Sequence, residues 1–108
     1  MKCLDDHHHY VLDRFENPEN SEELKFINKK PKEFAEGDGE PGLLVTVHAG
    51  TTNEEVLRVL IDRMNGLIGK FPDAYSQSAR SHMISALADL EMRTNERKRR
   101  GVEGKHLA

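Results

Sequence analysis

Residues 51–73, TTNEEVLRVLIDRMNGLIGKFPD, decide what kind of fold this chain builds. Val56, Leu60, Met64 and Leu67 recur at helical spacing, and Leu57, Ile61 and Ile68 form a second row beside them. Two adjacent rows make the broad apolar stripe of a helix packed on one side. Thr52-Asn53-Glu54-Glu55 fits a capping box at the start, in which Thr accepts an early backbone N–H and Glu reaches back to the cap. Gly66 and Gly69 weaken the far end, and Pro72 stops it.

Toward the C-terminus the spacing predicts a second helix from near Ser76 or Ser78, with Ala79, Met83, Ala86, Leu87, Leu90 and Thr94 along its buried face. Gly101 is placed to cap it. The short connection KFPDAYS makes the two helices an antiparallel hairpin, with Phe71 expected to close its core and the serines to cap the second helix. Toward the N-terminus the reading changes to strands. GLLVTVHAG puts Leu43, Val45 and Val47 on one face and Leu44, Thr46 and His48 on the other. HHYVLDRF alternates weakly, and LKFINKK places Leu24 and Phe26 opposite Ile27. Pro18, Asn20, Pro31 and EGDGEPG separate these segments as turn formers. With no helical crossover available, the strands are expected to pair antiparallel. The fold class is α+β: one domain over residues 1–108, β-rich over 1–49, then a helical hairpin and basic tail over 50–108.

The 108 residues are 36% apolar and 32% charged, without Trp, so the core is thin for a monomer and self-association is expected. Net charge is −3, unlike a general nucleic-acid binder. From Arg93 onward, however, six basic residues face two acidic ones, a local +4, whereas residues 1–92 carry −7. A single cysteine, Cys3, builds no disulfide framework and fits a reducing compartment. No window approaches the length of a membrane span, and MKCLDDHHHY lacks a signal peptide's apolar core. The expectation is a soluble cytoplasmic protein.

The run RTNERKRRGVEGKH is the strongest chemical feature. Arg93, Arg97 and Arg100 share one helix face beside the core row. Their guanidinium forks suit phosphate, because they donate paired hydrogen bonds and stay charged. The competing explanation is structural: cations in a last turn offset the macrodipole, and Glu96–Arg100 or Asp89–Arg93 makes a surface pair. Tyr75 and Ser76 offer a ring for a nucleobase and a hydroxyl for its edge. DDHHHY reads as a solvated terminal segment, since consecutive histidines on a strand alternate faces and no HExxH or CxxC pair is present. The sequence holds no GxSxG elbow, P-loop or dinucleotide fingerprint. No enzyme, metal or cofactor is expected.

GTTNEEVLRVLIDRMNGL, KFPD and LEMRTNERKRRGVEGKH together resemble the hairpin domain of small phage and prophage proteins shared by the anti-Thoeris and anti-CBASS sponges. HHYVLDRF and LKFINKKP also resemble the N-terminal part of the anti-Thoeris-like members. The resemblance implies a non-catalytic protein of an infected or lysogenic bacterial host. It would bind a cyclic nucleotide or cyclic ADP-ribose-type ligand intact, in pockets between subunits of a symmetric homo-oligomer. By the same resemblance Arg93 and Arg97 contact phosphate, with Arg100, Tyr75 and Ser76 as further ligand-binding candidates. Two departures bear on the ligand's identity. Gly66 stands where relatives often have an aromatic residue, and DAYS replaces the usual CREN, leaving Tyr75 and Ser76 as substitutes. Two rival readings are a phage protein-interaction module that uses the hairpin only for assembly, and a nucleic-acid accessory protein gripping phosphates with residues 97–100.

Overall fold

The computed structural model describes residues 1–16, 21–31 and 44–101. Contacts divide the chain into two compact units, Met1–Thr52 and a helical unit that begins at Asn53. The α+β architecture is the expected one: antiparallel strands first, two helices second.

Three strands, β1 (Lys2–Asp5), β2 (His9–Asp13) and β3 (Ser21–Lys25), form an antiparallel meander with β2 in the centre. β1 precedes the strands expected from the sequence, and DDHHHY, expected to be a solvated terminal segment, holds the turn that joins β1 to β2. That turn explains the oversight. Asp6 and His7 both have positive φ, 38° and 67°, and the His8 N–H donates to the Asp5 carbonyl at 2.7 Å. Positive φ at both central residues is the requirement of a tight mirror-image hairpin turn, and Asp tolerates it better than most residues.

The expected single strand through LKFINKK is two strands. Phe26 donates its N–H to the His8 carbonyl, and there the backbone changes partner. Ile27 donates to the Thr51 carbonyl and Thr51 donates to that of Lys25, each at 2.9 Å, forming a parallel bridge between Phe26 and Thr51. Beyond it β4 (Asn28–Pro31) pairs antiparallel with β5 (Leu44–His48), with an irregularity between Asn28 and Lys29. Gly50 is needed beside this crossing. A Cβ there would lie 2.5 Å from the Phe26 carbonyl carbon.

The helical unit is α1 (Asn53–Lys70) and α2 (Ala74–Arg99), paired as an antiparallel hairpin. α1 runs through both Gly66 and Gly69 before Phe71-Pro72 ends it. α2 starts earlier than the serines suggested. Asp73 is its N-cap, accepting from the Tyr75 N–H at 3.0 Å and from the Ser76 hydroxyl at 3.2 Å. A carboxylate accepts both hydrogen bonds and complements the helix's positive end, so it displaces the serines as cap. At the other end Gly101 takes φ 72° and donates to the Lys98 carbonyl, the expected left-handed stop.

The covered face of α1 is Glu54, Leu57, Ile61, Met64 and Ile68, with the expected Val56 half-buried beside it; that of α2 is Ser76, Arg80, Met83, Leu87, Leu90, Thr94 and Arg97. Both rows advance by alternating threes and fours, the spacing of a coiled-coil seam. The expected core was wider than this. Leu60, Leu67, Ala79 and Ala86 are exposed, and Phe71, 75% exposed, does not close the hairpin. A pair of helices has one seam, and side chains a quarter turn away are only partly covered, Leu60 by little more than half. Ile68 is the one buried hydrophobic residue among those described.

Candidate functional site

The basic end of α2 is built by three overlapping choices along one helix. Glu96 gathers part of the run: it accepts from Arg99 Nη2 at 2.7 and 2.8 Å and from Arg99 Nε at 3.1 Å, and its Oε1 lies 3.4 Å from Arg100 Nε. The structural explanation therefore holds for Arg99 and Arg100, which share one carboxylate beside a helix C-terminus.

Arg93 differs. It is exposed and makes no ion pair with any described residue, so the Asp89–Arg93 pair that the spacing allows is not formed there. Arg97, four residues on, is half-buried at the end of the seam beyond Thr94. The two are neighbours one turn apart.

The hairpin has two unlike edges. Arg58 donates to Glu55 on its own helix and to Glu91 on α2, each at 3.3 Å, and Arg80 donates to Asn65 at 2.9 Å. Arg58 and Asn65 are seven residues apart, on one side of α1, so both ties close the same edge. Val56, Leu60 and Leu67 occupy the opposite side of α1. On α2, Arg93 lies two residues from Glu91 and hence nearly half a turn round. Arg93 thus stands on the edge opposite these ties, the side on which Val56, Leu60 and Leu67 lie.

Tyr75 and Ser76 are at the other end of α2. Tyr75 is 87% exposed, and the Ser76 hydroxyl is engaged by Asp73. Eighteen residues separate Tyr75 from Arg93, five full turns and about 27 Å at 1.5 Å per residue. They stand in one line along α2 but not in one pocket of a single chain.

Sequence reading missed a second concave surface, in the β unit. A cleft of about 360 Å³ is lined by Asp5, His8, His9, Lys25 and Phe26, with Val47 and Ala49 as its wall. Nδ1 of His8 is buried there without a hydrogen-bond partner. Next to it, His7 Nδ1 lies 3.4 Å from the Tyr10 hydroxyl and 3.7 Å from Cys3 Sγ. Burial pushes the Tyr10 phenol above its ordinary value, and Cys3 adds to this through its charge and hydrogen bond. Among the described residues no three His, Cys, Asp or Glu are grouped to hold a metal ion. Asp5-Asp6 ahead of the alternating HYVLD was the available signal: two turn-forming residues between strands, rather than a frayed terminus.

Comparison of the chain with family models, curated proteins and solved structures found no match. No helix among the described residues is long and apolar enough to cross a membrane.

Proposed function

We propose that the protein sequesters a cyclic nucleotide signal in pockets between subunits of a homo-oligomer, without turning it over. The observation that carries this reading is Arg93. It stands exposed on the apolar edge of the hairpin, unclaimed by any described acid, one turn from Arg97, while Glu96 occupies Arg99 and Arg100. A cation left over from local pairing beside an unpartnered apolar edge suits a phosphorylated ligand enclosed by a second chain. Arg93 and Arg97 hold phosphate; Arg100, shared with Glu96, contributes less. Tyr75 stacks on a base. Ser76 reads a base edge only by leaving Asp73. Because Tyr75 and Arg93 are five turns apart, one pocket containing both takes the Tyr75 end of one chain and the Arg93 end of another.

Sequestration is stoichiometric, so affinity replaces turnover; nanomolar binding corresponds to about 12 kcal/mol. The test is calorimetric titration with cyclic dinucleotides, cyclic trinucleotides and cyclic ADP-ribose isomers, followed by recovery of the ligand. Tight binding of one of these, released intact on heating, is expected. Arg93→Ala is expected to weaken it by about 10- to 100-fold, since a hydrogen bond to a charged group contributes about 1.5–3 kcal/mol. No binding across the panel rejects the reading.

One observation favours a second reading, a protein-interaction module. Leu60, Leu67, Phe71 and Ile84 are all exposed on or beside the hairpin. Under it, reversing the charges of Arg93 and Arg97 leaves partner binding unchanged.

A further inference from the structure

The cleft in the β unit carries charge of both signs in one row. Asp5 on β1 pairs with His9 on β2, and His9 pairs with Lys25 on β3. Residues directly opposite each other on neighbouring strands share a face, and all three of these line the cleft. The acid and the base therefore stand at opposite ends of the row, two strand spacings or about 10 Å apart at their backbones. Both are exposed, and neither forms an ion pair with a described residue.

The two histidines add a second observation. Both are half-buried, and each holds a ring nitrogen that is closed to water and has no hydrogen-bond partner, Nδ1 in His8 and Nε2 in His9. Glu23 Oε1 lies 3.5 Å from the latter, longer than an ordinary N–H···O bond. Glu23 sits one pair further along the sheet, opposite Val11, outside the cleft lining. Folded proteins pair nearly all such atoms, so two unpaired ones beside one cleft mark a partner from outside the chain. Among the described residues neither ring is held by a hydrogen bond, so each is free to turn about its Cβ–Cγ bond and bring a nitrogen to a ligand.

We propose that the cleft binds a small zwitterion of the amino-acid type. Its ammonium group meets Asp5, its carboxylate meets Lys25 and the two imidazoles, and its apolar side chain lies against Val47 and Ala49. The charges select this class. A simple anion drawn to Lys25 would face Asp5, and a simple cation drawn to Asp5 would face Lys25. A ligand that is neutral overall but carries both charges meets an opposite charge at each end. The volume of about 360 Å³ is near the lower end for ligand pockets, which suits a small molecule. The site does not rest on the ligand reading of the hairpin.

NMR of the histidine ring protons in the full chain tests it, by titration with L-valine, L-leucine and L-phenylalanine to millimolar concentration. Each is run beside its amine without the carboxylate and its acid without the ammonium group. Saturable shifts at His8 and His9 are expected with an intact amino acid, while His82 on α2 stays still. The analogues with one charge are expected to bind far more weakly. Asp5→Asn and Lys25→Gln each remove one end of the row and should weaken binding about 10-fold, as loss of a hydrogen bond to a charged group does. The edge-on contact of Tyr10 with Phe26 reports that the β unit of each variant is folded. The proposal is overturned by unmoved His8 and His9 signals across the panel, by an analogue with one charge binding as tightly as its amino acid, by either variant keeping the wild-type affinity, or by equal shifts at His82.

Discussion

The β unit and the hairpin are held together by different parts of the chain. In the first, the decisive contacts are between backbones: Phe26 on His8, Ile27 on Thr51, and Gly50 pressed against the crossing. In the second they are between side chains, along a seam whose members are spaced by threes and fours. A backbone crossing has no tolerance, because neither chain can rotate out of the way. A seam of half-buried side chains repacks and tolerates changes of volume better. The two units should therefore fail under different substitutions.

Gly50→Ala is the sharpest way to separate them. The added Cβ would sit 2.5 Å from the Phe26 carbonyl carbon, 2.7 Å from the Lys25 oxygen and 2.8 Å from the Ile27 nitrogen. All three are backbone atoms, so relief means breaking the bridge to Thr51. A cost of about 2–3 kcal/mol is expected, at the upper end of overpacking by a single methyl. Amide exchange at Phe26, Ile27 and Thr51 should lose protection while the helical circular dichroism of the hairpin persists. Loss of both together would mean that the units unfold as one.

That difference also governs what was legible in the sequence. Side-chain periodicity is written directly in the chain, so α1, α2, their antiparallel pairing and strands β2 and β5 were readable. Backbone events are not. The partner change at Phe26 depends on two carbonyls, and β1 depends on a turn of two positive φ values at Asp6 and His7. Periodicity overstated the core as well, because it cannot tell a residue on the seam from one a quarter turn away, as at Leu60 and Leu67. For the candidate site, the Glu96–Arg100 pair was legible from spacing, whereas the share of Glu96 taken by Arg99 and the missing Asp89–Arg93 pair follow from rotamers. The cleft at His8, His9 and Lys25 joins residues from three segments, which no local pattern announces.

Within the hairpin, the cap is where a single side chain matters most. Asp73→Ala removes the acceptor of both the Tyr75 N–H and the Ser76 hydroxyl. About 1 kcal/mol of stability should be lost, with partial recovery in Asp73→Ser. Thermal melting followed by circular dichroism measures it. Ser76→Ala in the Asp73→Ala background discriminates further. If Ser76 takes over as cap when the carboxylate is gone, the double variant should be less stable than the single one. The β unit's amide protection should be unaffected in all three.

The smallest effect expected is a proton's, and it belongs to the β unit. Tyr10 pairs with Cys3 across β1 and β2 and packs edge-on against Phe26 at 5.9 Å between ring centres. Burial first, then the charge and hydrogen bond of Cys3, raise its pKa above the ordinary 10.0. The native state thus holds the phenolic proton more tightly than the unfolded chain does. By linkage, this stabilisation is complete below the ordinary value and is lost as pH rises through the higher native one. Tyr10→Phe keeps the ring against Phe26 but has no proton to lose. Protection of the β unit measured by denaturant midpoint should fall with pH less steeply in the variant than in the wild type above about pH 10. Cys3→Ser should give an intermediate slope, because it removes the contribution of Cys3 and leaves the burial. Identical slopes in all three would place Tyr10 in water in both states. The hairpin carries Tyr75 almost fully exposed, so its own melting serves as the internal control, blind to each of these changes.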